Sequence, residues 1–321
     1  MMRAYQVENF ETGARSVVIE RPTPAKGEVL LKIHACGLNF ADLLMAKGTY
    51  QDTPKPPFSL GMEVCGTVVE HGDGVTSPAI GTRVAVFGGS GGLAEYGRFD
   101  ATMCRAIPEK MPSDIAAGFY VAYGTSHLAL TDRAKIRPKE TLLVLGASGG
   151  VGLTTIEIGK ALGATVIAVA RGPAKLAVAK AAGADHLIDS NDGDFTDAVK
   201  ALGGADVVYD PVGGTGFKSA LRACKPKARI IVIGFASGDV PPIAANHILV
   251  KNIDVIGFYW GGYLKFDKDA VMTSIQDLMD MYVAGDLRPH ISHVLPLDQA
   301  DAALDLLRNR TSTGKVVVTI D

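Results

Sequence analysis

From about residue 124 to 262 the chain alternates short aliphatic runs with stretches whose apolar positions recur every three or four residues. "TLLVLG", "ATVIAVA", "DHLID", "ADVVYD", "ARIIVIG" and "IDVIGFYW" predict strands. Between them, "GLTTIEIGKALG", "AKLAVAKAAG", "FTDAVKALG" and "GFKSALRAC" carry the helical period, and glycines close several of these helices. Strand runs that are apolar on both faces predict a parallel sheet covered by helices on each side, a doubly wound α/β unit. Residues 1–123 have a different texture. "RSVVIERP", "EVLLKIHACGL", "GMEVCGTVVEHG", "TRVAVFGG" and "LAEYGRFD" are short strand candidates between Gly/Pro turns, predicting a partly antiparallel β domain. After 263 come an amphipathic helix ("KDAVMTSIQDLMDMYVAG"), a strand ("ISHVLP"), a helix ("DQADAALDLLRNR") and a last strand ("KVVVTI"). This tail shares the N-terminal texture. Residues 1–123 and 263–321 are therefore expected to form one discontinuous β-rich domain, with 124–262 inserted as the α/β unit.

Composition narrows the function classes. Of 321 residues 47% are hydrophobic and 21% charged, with a formal net charge of −2. That balance offers no generalised attraction to phosphate backbones or anionic lipid, so nucleic acid is disfavoured as a partner. Cys36, Cys65, Cys104 and Cys224 lie far apart and form neither a zinc knuckle nor a disulfide framework. No stretch approaches the roughly 18 apolar residues of a membrane span. The N-terminal "MMRAYQVENFETGARSVVIE" alternates and carries acids, unlike a secretory signal. The expectation is a cytoplasmic protein that binds no membrane.

The chemistry begins at "LLVLGASGGVG", residues 142–152. Gly146, Gly149 and Gly152 spell G-x-x-G-x-x-G, one residue longer than the usual dinucleotide fingerprint. Yet the motif follows a strand, opens a helix and precedes a second strand, as the fingerprint requires. Side-chain-free backbone lets the chain turn sharply and brings pyrophosphate against the free N–H groups of a helix N-terminus. Ala147, Ser148, Gly150 and Val151 complete the candidate cofactor loop. About 20 residues on, where NAD sites place an acid, the chain has "AVARGPAK". Arg171 and Lys175 there attract a 2′-phosphate, and NADPH is the expected cofactor. The competing readings are a plain structural turn and an Arg171 that is only solvated.

"GASGGVG", with "CGLNFADLLMAKGTY", "GMEVCGTVVE", "YDPVGG" and "STGKVVV", resembles the zinc-independent quinone oxidoreductases of the medium-chain dehydrogenase/reductase superfamily. The ζ-crystallin-like branch is the nearest match, and "GFASG" before "KNIDVIGFYWGGY" is similar to its quinone oxidoreductase-like subgroup. The resemblance implies a Rossmann doubly wound sheet and a discontinuous GroES-like β-rich domain. It implies a cleft for NADPH and a small-molecule substrate, and a homodimer joined at Rossmann edge strands, with "DVIGFYW" the candidate edge. Zinc members of the superfamily carry Cys where this chain has Asn39 and His where it has Met62. Asn and a thioether are poor zinc ligands, so no metal is expected.

By the same resemblance, Asn39 lies beside the nicotinamide, with a helix N-cap as the competing role. Asp42 aligns with a family acid that serves the site or a structural hydrogen bond. Tyr50 matches a tyrosine at the mouth of the substrate pocket, as proton donor or as lid. Tyr123 and Thr125 are expected to flank the nicotinamide. Phe235, Ala236, Phe258, Tyr259 and Trp260 follow the last two strands, where open parallel sheets collect ligands; Trp260 also suits a dimer interface. Ser190 falls at an adenosine-side position, and Arg310 and Lys315 align with a segment reaching the cofactor phosphate.

The leading expectation is hydride transfer from NADPH to a quinone. Its rival on the same scaffold is reduction of α,β-unsaturated carbonyls or enoyl thioesters. A non-catalytic NADPH- or RNA-binding protein is the reading from another class. G-x-S-x-G is absent, which disfavours hydrolase chemistry.

Overall fold

The computed structural model describes residues 1–320. The chain divides into two compact units, Met1–Val121 with Pro289–Asp321, and Ala122–Arg288.

The second unit is built on six strands in the spatial order His186–Asp189, Thr165–Ala170, Thr141–Leu145, Ala205–Asp210, Cys224–Val232, Asp254–Gly257. Every pairing among them is parallel. The two-faced apolar runs have the cause expected of them. Leu143, Leu145, Ile167, Val169 and Val208 pack with Phe195, Val199 and Phe217 from the helical side. Leu142, Val144, Val166 and Ala168 are equally buried on the opposite face. There the helix Gly150–Ala161 lies so close that a Cβ on Gly159 would come within 2.6 Å of Leu142 Cδ2. Asp254–Gly257 ends the sheet, as expected of an edge, and among the described residues it pairs only with Cys224–Val232.

The helix Lys268–Ala284 departs from expectation. It belongs to this second unit, not to the chain ends. Amphipathic period shows that a helix has a buried face but not which core receives it. Here Val271, Ile275 and Leu278 are buried, and Ser274 Oγ lies 2.8 Å from His127 Nδ1 on the helix Tyr120–Leu128. The unit boundary accordingly falls at 288/289.

The first unit carries a seven-stranded sheet. Its path runs Ile291–Pro296, Lys315–Thr319, Glu28–Leu38, Glu63–His71, Arg83–Phe87, Arg105–Ala106, with Tyr96–Asp100 also on Glu28–Leu38. Only the first of these pairings is parallel. A smaller sheet joins Gly13–Ile19, Met2–Asn9 and Phe58–Ser59. The last strand explains the discontinuity: Val316 pairs with Leu38 and Val318 with Cys36, and Val316, Val318 and Leu304 fill the same core as Leu31 and Val64. That register also sets Lys315 beside Asn39.

Candidate functional site

The glycine loop lies between the strand Thr141–Leu145 and the helix Gly150–Ala161. Conformation requires glycine at one of its three glycine positions and packing at another, while the third has room for a side chain. Gly146 has φ +57°, a left-handed conformation, and a Cβ there would stand 2.8 Å from Val212 Cγ2. Gly152 has ordinary backbone but no room, since a Cβ would meet the Gly146 carbonyl oxygen at 2.4 Å. Gly149 is the helix N-cap at φ −79°, and a Cβ would find nothing nearer than 3.4 Å. The added residue therefore lengthens the span between the turn and the packing contact without disturbing either. The Gly150, Val151 and Gly152 N–H groups precede the first helical bond, Leu153 N–H to Gly149 O at 2.9 Å. They present three amides and the positive helix end, a fit for an anionic diphosphate. Ala147 N–H donates to Val169 O at 3.0 Å and ties the loop to the second strand. Behind it, Ser126 and Thr155 hydroxyls donate to Val151 O at 3.1 and 2.6 Å.

In the first unit, Asn39 opens the helix Phe40–Met45 and joins a buried charged cluster. Lys315, 6% exposed, donates its three protons to Leu38 O (2.8 Å), Asn39 Oδ1 (2.8 Å) and Glu63 Oε1 (2.6 Å). Asn39 Nδ2 donates to the same Glu63 oxygen at 3.0 Å, and Glu63 Oε2 accepts the Val121 N–H at 3.0 Å. The Asn39 amide thus has one orientation, oxygen to the lysine and nitrogen to the glutamate. Asp42, fully buried, accepts the Asn39 N–H at 2.8 Å and the Gly61 N–H at 3.1 Å.

Two family models match the chain: an alcohol dehydrogenase GroES-like domain over residues 25–109 and a zinc-binding dehydrogenase over 150–276. The bovine quinone oxidoreductase-like protein 2 is 38% identical over 313 residues, 95% of this chain and 90% of that protein. The chain belongs to the quinone oxidoreductase-like family of the medium-chain dehydrogenase/reductases. The quinone oxidoreductase of Thermus thermophilus, solved alone and with NADPH, is 33% identical. It superposes with a TM-score of 0.87 over 99% of this chain and all of that one. The Escherichia coli quinone oxidoreductase with NADPH is 25% identical at a TM-score of 0.90, covering 99% of each chain. This quinone oxidoreductase-like chain is an oxidoreductase, with the α/β Rossmann and GroES-like architecture.

Membership sharpens the reading of each residue. Lys315, expected near a cofactor phosphate, commits its three donors to Leu38, Asn39 and Glu63. Tyr123, expected beside the nicotinamide, directs its hydroxyl to Glu157 Oε2 at 2.6 Å, an oxygen that also accepts the Arg288 N–H. Burial and that acid push the phenol far above its usual range. Thr125 is buried on the same helix. Trp260 is buried within the second unit against Gly124, where a Cβ would lie 2.8 Å from the indole nitrogen, so its ring serves that unit's own packing. Phe258 is buried against Tyr263, Tyr259 and Ala236 are half-buried, and Phe235 is exposed. Arg171, Ser190 and Arg310 are exposed and Lys175 half-buried. Arg310 has φ +55° on the turn after Ala300–Arg308. Tyr50 is half-buried on the core of the first unit. Glu63 is a member of the buried Lys315 cluster that no motif in the sequence marks. The only prior sign of Glu63 was an acid in a strand otherwise apolar, "GMEVCGTVV".

Burial pushes the Asp42 carboxyl up to about 6, against the opposing pull of its two N–H donors and the Lys315 charge; Glu63 adds to the rise. A folded-state pKa above the ordinary carboxylate value means that folding favours the protonated acid. The stability it contributes is complete below pH 4 and lost as pH rises through 6. A shift of this size corresponds to about 3 kcal/mol. Unfolding free energy measured in urea from pH 4 to 7 is expected to fall by that amount from this residue, and Asp42→Asn to flatten that portion. An identical slope in the variant removes Asp42 as the cause.

Proposed function

We propose that this chain transfers a hydride from NADPH to a quinone without a metal ion. The observation that carries the cofactor reading is the bare-amide start of Gly150–Ala161 followed, after the second strand, by Arg171 and Lys175 where a carboxylate would select NAD. The Thermus thermophilus and Escherichia coli quinone oxidoreductases with NADPH support it. The cofactor supplies the hydride; this chain's part is to hold and orient both reactants. The loop of residues 146–152 grips the diphosphate, and Arg171 and Lys175 take the 2′-phosphate. Asn39, fixed by Lys315 and Glu63, keeps an oxygen lone pair for a cofactor or substrate N–H. Tyr50 faces the substrate, as donor to the reduced oxygen or as lid.

Metal independence is supported by chemistry at the position where zinc members carry Cys. There an amide is bound to a buried ammonium, a poor place for a divalent cation. Among the described residues no three His, Cys, Asp or Glu side chains converge to hold an ion. A quinone spreads the incoming charge over a conjugated system, so hydrogen-bond donors or water suffice.

A homodimer joined at Asp254–Gly257 is supported by that strand's open edge and by Leu249 and Val250, 75% and 74% exposed on the helix Ala245–Lys251 just before it. Four buried free thiols favour a reducing compartment such as the cytoplasm. Among the described residues no helix is long and apolar enough to cross a membrane.

The test is NADPH oxidation by the chelator-washed protein against a quinone panel and an unsaturated-carbonyl panel. Turnover confined to carbonyls replaces the quinone assignment, and turnover that needs added zinc replaces the metal-free one. Arg171→Glu is expected to raise the NADPH Michaelis constant at least about tenfold, from charge reversal at the phosphate, with NADH little affected. Equal losses for both cofactors defeat the phosphate role.

A further inference from the structure

The strand end that carries Arg171 has a charged neighbour of opposite sign. Ala170, last residue of Thr165–Ala170, is in register with Asp189, last residue of His186–Asp189. The Asp189 carboxylate crosses to the adjoining turn, where Oδ1 accepts the Gly172 N–H at 3.0 Å, while also accepting the Asn191 N–H at 2.9 Å. Gly172, at φ +77°, is the N-cap of Pro173–Ala181 and immediately follows Arg171. In a dinucleotide-binding unit this is where the ribose 2′ group is read, by an acid when it is a hydroxyl and by a cation when it is a phosphate. This chain brings both kinds of group to one turn, the cations from its own strand and the acid from the next.

We propose that Asp189 is a specificity-determining residue that restrains the preference for the 2′-phosphorylated cofactor by holding a negative charge on the Gly172 turn. The proposal rests on the NADPH reading above. The carboxylate repels a phosphate bound beside Arg171, and it occupies the amide that a phosphate oxygen would otherwise take. Toward the unphosphorylated cofactor it acts in the opposite sense, as an acceptor for a ribose hydroxyl. The two N–H donors hold its carboxyl below the usual carboxylate range, so the charge is present at neutral pH. The sequence hides this arrangement, because an acid 18 positions past Arg171 has no place in the fingerprint and only strand register brings it back.

Asp189→Asn removes the charge and keeps an oxygen for both N–H donors; Asp189→Ser does the same with a shorter side chain. Calorimetric titration of the full chain with NADPH and with NADH reads the outcome. Removal of one like charge near the surface is expected to tighten NADPH by up to about tenfold while NADH weakens, with the NADPH gain shrinking in about 1 M salt. The opposite directions are decisive, since loss of a turn cap alone moves both affinities the same way. Parallel changes, or an unchanged ratio in both variants, overturn the proposal. Wild-type chain that binds neither dinucleotide overturns the cofactor reading itself, a separate result.

Discussion

Lys315→Met is expected to lower the unfolding free energy by about 3–5 kcal/mol, the effect of leaving a buried charge without its partner. The carboxylate left behind is Glu63, 1% exposed, with the Asn39 amide and the Val121 N–H as its remaining donors. The Asn39 oxygen loses its donor at the same time. Arginine is not an equivalent, because its planar fork cannot reproduce the three separate directions of the ammonium's bonds to Leu38 O, Asn39 Oδ1 and Glu63 Oε1. The second variant Lys315→Met/Glu63→Gln neutralises both partners and is expected to recover more than half of the loss. Urea unfolding of the three proteins decides it. A Lys315→Met protein within about 1 kcal/mol of wild type, the range of an exposed ion pair, would show that the ammonium is not balancing Glu63.

Gly152→Ala and Gly149→Ala, three residues apart on one loop, are expected to fail in different ways. At Gly152 the new methyl meets the Gly146 carbonyl oxygen at 2.4 Å and Ala147 backbone at 2.8 Å, and backbone cannot rotate aside. Overpacking of this kind costs about 1–3 kcal/mol or more, and the helix start it displaces is the one that presents the amides. Stability and cofactor affinity should both fall. At Gly149 the methyl fits, at 3.4 Å from its nearest neighbour, and the backbone conformation is open to alanine. Thermal stability should hold within about 0.5 kcal/mol while NADPH affinity drops, because the methyl stands on the approach to the amides. Thermal melts paired with cofactor titration separate the two. If Gly149→Ala binds NADPH like wild type, that glycine is not part of the cradle.

Much of this was legible from residue pattern alone. The alternation of "TLLVLG" and "ATVIAVA" with helical period gives a two-sided parallel sheet, because strands apolar on both faces need cover on both sides and the intervening helices supply it as crossovers. The glycines of the loop could be picked out as a group but not told apart. The turn at Gly146 and the packing at Gly152 differ only once Val212 and Ala147 are in place. Lys315 shows the limit most clearly. In "STGKVVV" it is one more cation in a segment expected to reach a phosphate, and nothing local says that Glu63, 252 positions away, will claim it. Asp189 and the helix Lys268–Ala284 are lost for the same reason. Partner choice between distant segments is a property of register and of competing cores, and period cannot express it.

The pairing of Lys315–Thr319 with Glu28–Leu38 sets an order of events on the ribosome. A nascent chain released as far as residue 288 holds everything its inserted unit requires. Its first 121 residues must meanwhile wait with the Ala35–Leu38 edge of that strand unpaired, until the closing strand emerges. Synthesis at roughly 5–20 residues per second makes that wait about ten to forty seconds. During it, the growing polypeptide is most in need of a chaperone.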